Sequence, residues 1–187
     1  RYIEAATNTA ACCCNVQMFD REHSRLSLIQ AALKEAGVER LGAEEEKLSH
    51  AGYLGYEKAL GMELLPAQAI FSELRASKSE EEIGYLREAQ AISEKALAEV
   101  LRIIKPGMTE LQVKIELEDF MVRHGSQGVA FESIVACGAN GASPHGQAGN
   151  RIIEEGHSVV MDYGAKAFGY NADMTRTVFI GKPSDEM

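Results

Sequence analysis

The sequence lacks the features of membrane-spanning and nucleic-acid-binding proteins. None of its apolar runs approaches the ~18 residues that cross a bilayer, and we expect no signal peptide. Lys and Arg are fewer than Asp and Glu (19 against 28), and the formal charge of −9 disfavours nucleic acids and anionic membranes as partners. We therefore expect a cytoplasmic globular protein that binds neither nucleic acid nor membrane.

Cysteine is also too sparse and too closely spaced for a disulfide framework. Cys12, Cys13 and Cys14 are consecutive, a spacing that neither bridges neighbours comfortably nor matches the C-x₂₋₄-C pattern of zinc sites. We interpret them as small apolar residues of a strand from Cys13 to Met18. Cys137 precedes a glycine-rich loop and is interpreted as a packing residue rather than a nucleophile.

The first part of the chain alternates helix-like and strand-like segments. Hydrophobic periodicity predicts helices over residues 21–36 and 48–60 and short strands over residues 40–43 and 63–65. Such alternation is typical of a sheet with helices on its faces. The pattern changes near residue 75, which divides the chain into two predicted domains, residues 1–74 and 75–187.

Two capping boxes open the helices of the second predicted domain. The first combines Ser79 with Glu82 and predicts a helix that reaches Ile104. The second begins at Thr109 and predicts a helix that reaches about His124. Strand-like segments complete this part of the chain, at residues 131–136, 158–164 and 170–180.

Two aspartates lie in the last two of these segments, which together resemble a β-hairpin. With the turn centred between Ala167 and Phe168, Asp162 lies directly opposite Asp173, their Cβ atoms roughly 4.5–5.5 Å apart. Asp in a hairpin is most often a turn or solvent-facing residue, but Asp inside a strand is disfavoured and needs a reason. Two carboxylates this close repel unless one is protonated or a cation lies between them. The pairing therefore indicates one divalent metal ion or a pair.

A histidine, His145, lies in a stretch rich in glycine. Such a loop lets the backbone approach a ligand closely. From composition alone, a histidine on a surface loop is the simpler interpretation.

These segments carry a resemblance to a known family. The residues from Asp162 to Thr177 read DYGAKAFGYNADMTRT and closely resemble the first metal-ligand segment of the pita-bread metallopeptidases. That family includes Xaa-Pro aminopeptidase, prolidase and methionine aminopeptidase. Residues 131–146 read FESIVACGANGASPHG and resemble the family segment that carries the active-site histidine. The bacterial Xaa-Pro dipeptidase or aminopeptidase type is the most similar branch.

The resemblance implies an α/β (α+β) fold. Residues 1–74 would be the C-terminal part of a creatinase-like N-terminal α/β domain, and residues 75–187 the first half of a pita-bread catalytic domain. The implied activity is dinuclear-metal-dependent hydrolysis of N-terminal Xaa-Pro bonds in small peptides. Mn²⁺ is the expected metal, with Co²⁺ and Zn²⁺ as alternatives. By the same resemblance Asp162 is a terminal metal ligand, Asp173 bridges both ions, and His145 hydrogen-bonds the scissile peptide or the departing group.

The family uses five metal ligands, of which this chain holds two. The three missing ligands, a His and two Glu, would follow Asp173, but the chain ends at Met187. We therefore expect a fragment that is inactive alone and that forms a homodimer, because a lone first half leaves a sheet face uncovered. The alternatives are a non-catalytic pita-bread module that binds peptides or proteins, and a metal-free hydrolase of the creatinase type. The aspartate pair argues against the creatinase type. The sequence does not indicate whether the substrate is a dipeptide or a longer peptide.

Overall fold

A computed structural model describes residues 2–183, which divide into two compact units between Ser77 and Lys78. The elements described in the first unit are α1 (Tyr2–Ala10), α2 (Arg25–Glu35), β1 (Leu41–Ala43), α3 (His50–Leu60), β2 (Leu64–Pro66) and α4 (Gln68–Ala76). Strands β1 and β2 are parallel neighbours, so the predicted alternation of helices and strands is confirmed here. The α/β fold class is likewise confirmed.

The strand predicted from Cys13 to Met18 is wrong. The three consecutive cysteines are exposed, and Cys14 lies in a turn after α1, where its backbone N–H donates a 2.8 Å hydrogen bond to the carbonyl of Ala10. Strand propensity reflects packing on a half-buried sheet surface. The segment has no pairing strand within residues 2–183, so it gains nothing from an extended conformation.

The second unit contains two long helices followed by short strands. Its described elements are α5 (Glu80–Ile103), α6 (Glu110–Arg123), β3 (Ile134–Cys137), a 3₁₀ helix (Gly138–Ala142), β4 (Ser158–Tyr163), β5 (Lys166–Ala167), β6 (Tyr170–Asn171) and β7 (Met174–Phe179). Within residues 2–183, no helix is both long and apolar enough to cross a membrane.

Both predicted capping boxes are present. The hydroxyl of Ser79 accepts a hydrogen bond from the backbone N–H of Glu82, whose carboxylate accepts one from the N–H of Ser79. Thr109 and Gln112 make the same reciprocal pair at the start of α6. Each box satisfies two of the backbone N–H groups that a helix start leaves without partners, which is why these boundaries could be predicted.

Strands β3, β4 and β7 form an antiparallel sheet in the order β3-β4-β7. One face packs on α5 and α6 and forms the core of the unit. Its largest fully buried side chains include Tyr163, Met161 and Val159 from the sheet and Leu117 and Met121 from α6. We call the opposite face of this sheet the open face; by register it carries Ile134, Ala136, Val160, Asp162, Thr175 and Thr177.

A short hairpin, β5-β6, extends the line of β4 and β7. Its two loop residues are Phe168 (φ 51°) and Gly169 (φ 81°), and positive φ at both is the requirement of a type I′ turn. The turn pairs Ala167 with Tyr170, so paired residues have numbers that sum to 337. The turn predicted between Ala167 and Phe168 is therefore wrong by one position.

Candidate active site

Asp162 lies on the open face because its neighbours in β4 belong to the core. Met161 and Tyr163 are fully buried on the other side of the sheet. The Tyr163 hydroxyl donates a 3.3 Å hydrogen bond to the carbonyl of Ser93 in α5, and burial raises its pKa well above the usual range. With side chains alternating along a strand, these two anchors direct Asp162 away from the helices.

The residue opposite Asp162 is Thr175, not Asp173 as predicted. The Thr175 hydroxyl donates a 2.9 Å hydrogen bond to Oδ1 of Asp162. The two-residue change of register follows from the type I′ turn, because the position of the turn sets the pairing of the whole hairpin. A shift by two residues keeps the side chains on the same face.

Asp173 follows the same alternation. It lies between the buried residues Ala172 and Met174 and is itself exposed. The backbone N–H of Ala172 donates a 2.9 Å hydrogen bond to the carbonyl of Ala165, which continues the hairpin register and places Asp173 across from Gly164. Asp173 is thus a diagonal neighbour of Asp162, a relation in which residues are roughly 7–8 Å apart.

Gly164 lets the two strands approach at this point. A Cβ atom built on it would lie 1.8 Å from the carbonyl oxygen of Ala172. Since no side chain fits there, the backbone beside Asp162 and Asp173 depends on glycine at this position.

His145 is exposed in the loop between β3 and β4, and this loop folds over the open face. A Cβ atom built on Gly146 would lie 3.4 Å from the Cβ atom of Ala136, and one on Gly141 would lie 3.4 Å from Cγ2 of Val160. His145 also lines a cavity of about 200 Å³ together with Glu132, Ser133, Ile134 and Gln147.

The structure therefore brings His145 and Asp162 to one side of the sheet. Ile134 connects them, since it lines the cavity with His145 and pairs directly with Asp162 across β3 and β4. Asp173 lies on the same side of the sheet, because side chains alternate between the two faces along a strand. Within residues 2–183, however, no three His, Cys, Asp or Glu side chains come together in a group that could hold a metal ion.

The chemistry of these residues suits a divalent cation as part of a larger donor set. Oδ2 of Asp162 and both carboxylate oxygens of Asp173 have no hydrogen-bond partner in the part of the chain that the structure describes. Carboxylate oxygens of this kind are ligands for hard cations such as Mn²⁺. Asp162 and Asp173 would hold the metal, but two ligands leave its coordination incomplete.

Sequence reasoning missed three residues that support the site: Thr175, Glu110 and Asn140. Thr175 is a polar residue of a partly apolar strand. The sequence alone does not show the register that pairs it with Asp162. The sequence gives no sign that Glu110, in the first turn of α6, is buried and accepts a hydrogen bond from Asn140.

Cys137, at the end of β3, is fully buried, in agreement with its interpretation as a packing residue. Burial, followed by the neighbouring Glu110 carboxylate, raises the pKa of its thiol to about 11. Its nucleophilic thiolate form is therefore scarce at neutral pH.

Comparison with known proteins identifies a family that this chain matches. Residues 84–187 match metallopeptidase family M24. The uncharacterized peptidase YqhT of Bacillus subtilis is 39% identical over 165 residues, which are 86% of this chain and 47% of YqhT.

Solved structures agree with this match. A Xaa-Pro dipeptidase from Bacillus anthracis superposes with a TM-score of 0.91 at 36% identity, over 100% of this chain and 52% of that one. An X-Pro aminopeptidase from Thermotoga maritima superposes with a TM-score of 0.81 at 34% identity, over 89% of this chain and 48% of that one. The chain thus spans about half the length of these relatives.

Proposed function

Because the chain belongs to metallopeptidase family M24, we propose that it supplies part of the active site of a peptidase that hydrolyses N-terminal Xaa-Pro bonds using two divalent metal ions. The names of the Bacillus anthracis and Thermotoga maritima relatives support this substrate class. The observation that carries the proposal is the location of the His145 loop and Asp162 on the same face of the sheet.

In this proposal Asp162 and Asp173 hold the metal ions, which are Mn²⁺, with Co²⁺ or Zn²⁺ as alternatives. Divalent ions held by these residues would supply Lewis-acid chemistry, which polarises a peptide carbonyl and lowers the pKa of bound water. Thr175 orients Asp162 through its hydrogen bond. His145, exposed at the edge of the cavity, donates a hydrogen bond to the scissile peptide or to the departing group.

The architecture proposed for the whole protein follows the same family. Residues 1–74 are the C-terminal part of a creatinase-like α/β domain, and residues 75–187 are the first half of a pita-bread domain. We propose a cytoplasmic location from the composition and charge. For the 187-residue chain alone, we propose that a second copy covers the open face, where Thr175 and Thr177 are exposed. A monodisperse monomer in sedimentation would exclude this homodimer.

Binding of metal is the first test of the proposal. Mn²⁺ at 100 times its Kd should stabilise the protein encoded by the complete gene, here called the complete gene product, by about 2.7 kcal/mol. This stabilisation should disappear in Asp173→Asn and persist in Asp119→Asn, which changes an exposed carboxylate on α6. Equal stabilisation of wild type and Asp173→Asn would favour the non-catalytic binding module instead.

Catalysis is the second test. His145→Ala should lower kcat for a Xaa-Pro dipeptide by about 10²–10³-fold in the complete gene product, as loss of one hydrogen bond to the transition state does. His50→Ala, which removes an exposed histidine at the start of α3, should leave kcat unchanged. The 187-residue chain alone should show little turnover, because it holds two of the five expected ligands. Robust Mn²⁺-dependent cleavage by that chain would contradict the proposed division of the site.

A further inference from the structure

Glu110 is a carboxylate buried beneath the loop that carries His145. Its exposed fraction is 1%, and it is the first residue of α6. An isolated buried carboxylate costs several kcal/mol, so its burial requires hydrogen bonds or a charged partner. The catalytic roles proposed above do not use this residue. A carboxylate in the first turn of a helix interacts favourably with the helix dipole, but this interaction does not require the side chain to be buried.

The hydrogen bonds to the Glu110 carboxylate come from the last residue of β3 and from the loop that follows it. Its Oε1 accepts from the backbone N–H of Cys137 at 2.8 Å and from Nδ2 of Asn140 at 3.0 Å. Its Oε2 accepts from Nδ2 of Asn140 at 3.1 Å and from the backbone N–H of Gly149 at 3.2 Å. One carboxylate thus holds three points of the chain between Cys137 and Gly149, the stretch that includes His145.

A positively charged side chain also lies close to the Glu110 carboxylate. Nε of Arg151 lies 3.7 Å from Oε1 of Glu110. Burial raises the pKa of Glu110, but the hydrogen bonds from Cys137, Asn140 and Gly149 together outweigh it, so that the pKa lies below its usual value. The carboxylate is therefore ionised at neutral pH, and charge-assisted hydrogen bonds are stronger than neutral ones.

Asn140 transmits the contact from Glu110 to the histidine. A Cβ atom built on Gly146, the residue after His145, would lie 3.0 Å from the carbonyl oxygen of Asn140 and 3.3 Å from its Oδ1. Backbone hydrogen bonds also run from Ser143 N–H to the Asn140 carbonyl and from Gly146 N–H to the Ser143 carbonyl, both at 3.1 Å. We therefore expect a change in the position of Asn140 to shift the backbone of residues 143–146, which includes His145.

We propose that Glu110 is a positioning residue, whose buried carboxylate fixes the loop from Cys137 to Gly149 and thereby holds His145 over the sheet face that carries Asp162. This inference rests on the proposed function, since it assumes that His145 acts on the substrate. Glu110 itself does not contact the substrate. The geometry needed for catalysis is lost with displacements of about 1 Å, which can cost 10²-fold in rate.

The test uses the complete gene product with Glu110→Gln, which keeps the size of the side chain but turns one acceptor oxygen into a donor facing N–H groups. The matched control is Glu116→Gln, an exposed glutamate on the same helix. Asn140→Ala is a second variant that leaves the buried carboxylate with Cys137 and Gly149, in case Glu110→Gln does not fold. Two measurements are made: amide hydrogen exchange of the loop, and kcat and KM for a Xaa-Pro dipeptide.

Glu110→Gln and Asn140→Ala should speed exchange at the Gly146 and Gly149 amides at least about 10-fold, while amides of β4 keep their protection. Glu110→Gln should lower kcat about 10–100-fold with KM changed less than about 3-fold. In a His145→Ala background it should lower kcat less than about 2-fold further, because its effect acts through the histidine. Glu116→Gln should change none of these quantities.

Two results would overturn the inference. One is unchanged loop exchange in both Glu110→Gln and Asn140→Ala; the other is a kcat loss that is the same with and without His145. A third result would distinguish failure of the role proposed for Glu110 from failure of the role proposed for His145. If His145→Ala leaves kcat unchanged, the assigned role of His145 fails, while the exchange data still decide whether Glu110 holds the loop.

Discussion

The Thr175 hydroxyl donates a 2.9 Å hydrogen bond to Asp162 from the directly opposite position of the neighbouring antiparallel strand. The bond occupies one oxygen of the carboxylate and leaves the other for a different partner. In the metal site that we propose, Thr175 orients the ligand Asp162 and so affects the metal without contacting it.

Removal of this hydroxyl should therefore weaken metal binding. Thr175→Val should raise the Kd for Mn²⁺ about 10-fold, which calorimetric titration of the complete gene product measures. Thr177→Val is the matched control, since Thr177 lies on the same strand and face but pairs with Val160. Equal Kd values for Thr175→Val and wild type would show that Asp162 is not a ligand or needs no orientation.

Gly164 should tolerate no side chain. Gly164→Ala places a Cβ atom 1.8 Å from the Ala172 carbonyl oxygen, and the backbone must move, so we expect a loss of about 3 kcal/mol in the free energy of unfolding. Gly84→Ala, in the helix α5 with no atom within 4 Å of the new Cβ, should instead stabilise by about 0.5–1 kcal/mol. Urea denaturation measures both, and a neutral Gly164→Ala would contradict the close strand approach.

Glu110 should make stability dependent on pH in the acidic range. Its pKa in the folded protein lies below the ordinary value of 4.5, so its contribution to stability is present above about pH 4.5 and is lost as the pH falls through the folded-state pKa. The pKa of the neighbouring Cys137 thiol, raised to about 11, lies far above this range, so the thiol does not contribute to this pH dependence.

The difference in unfolding free energy between wild type and Glu110→Gln should accordingly be largest at neutral pH and shrink below about pH 4.5. Denaturation at a series of pH values measures this difference. A difference that grows as the pH falls would mean that the folded-state pKa of Glu110 is raised, not lowered.

Cys137 should resist thiol reagents in the folded protein. It is fully buried and its pKa is raised to about 11, whereas Cys12, Cys13 and Cys14 are exposed. A thiol reagent applied at pH 8 should modify the exposed cysteines first and reach Cys137 after denaturation. Cys137→Ala removes the slow phase and so identifies it. Modification of Cys137 at the rate of the others would show that β3 opens readily.

The sequence by itself determined the local parts of this structure. Each helix start at Ser79 and Thr109 depends on side chains within three residues of it, so both could be located from the sequence. The positions of β3, β4 and β7 along the chain also agree with the predicted strand-like segments. The motifs around His145 and Asp162 were sufficient for the family, which the match over residues 84–187 confirms.

The register between β4 and β7 was decided by the turn at Phe168 and Gly169. The sequence contains the signal for this turn, but the predicted turn centre was wrong by one position. Gly169 in the second loop position is typical of a type I′ turn, and this turn pairs Asp162 with Thr175. An error of one position in the turn centre changes the pairing by two residues, which preserves the face but alters the partner. The face of Asp162 could thus be predicted from the sequence, whereas its hydrogen bond could not.

The support beneath His145 was decided by tertiary structure alone. Glu110 accepts hydrogen bonds from Cys137, Asn140 and Gly149, which follow it by 27, 30 and 39 residues. No local pattern encodes such contacts, because they exist only after α6 has packed against β3 and the loop has closed over the carboxylate. An acidic residue in the first turn of a helix is ordinarily exposed, and its burial here is a consequence of the packing that surrounds it.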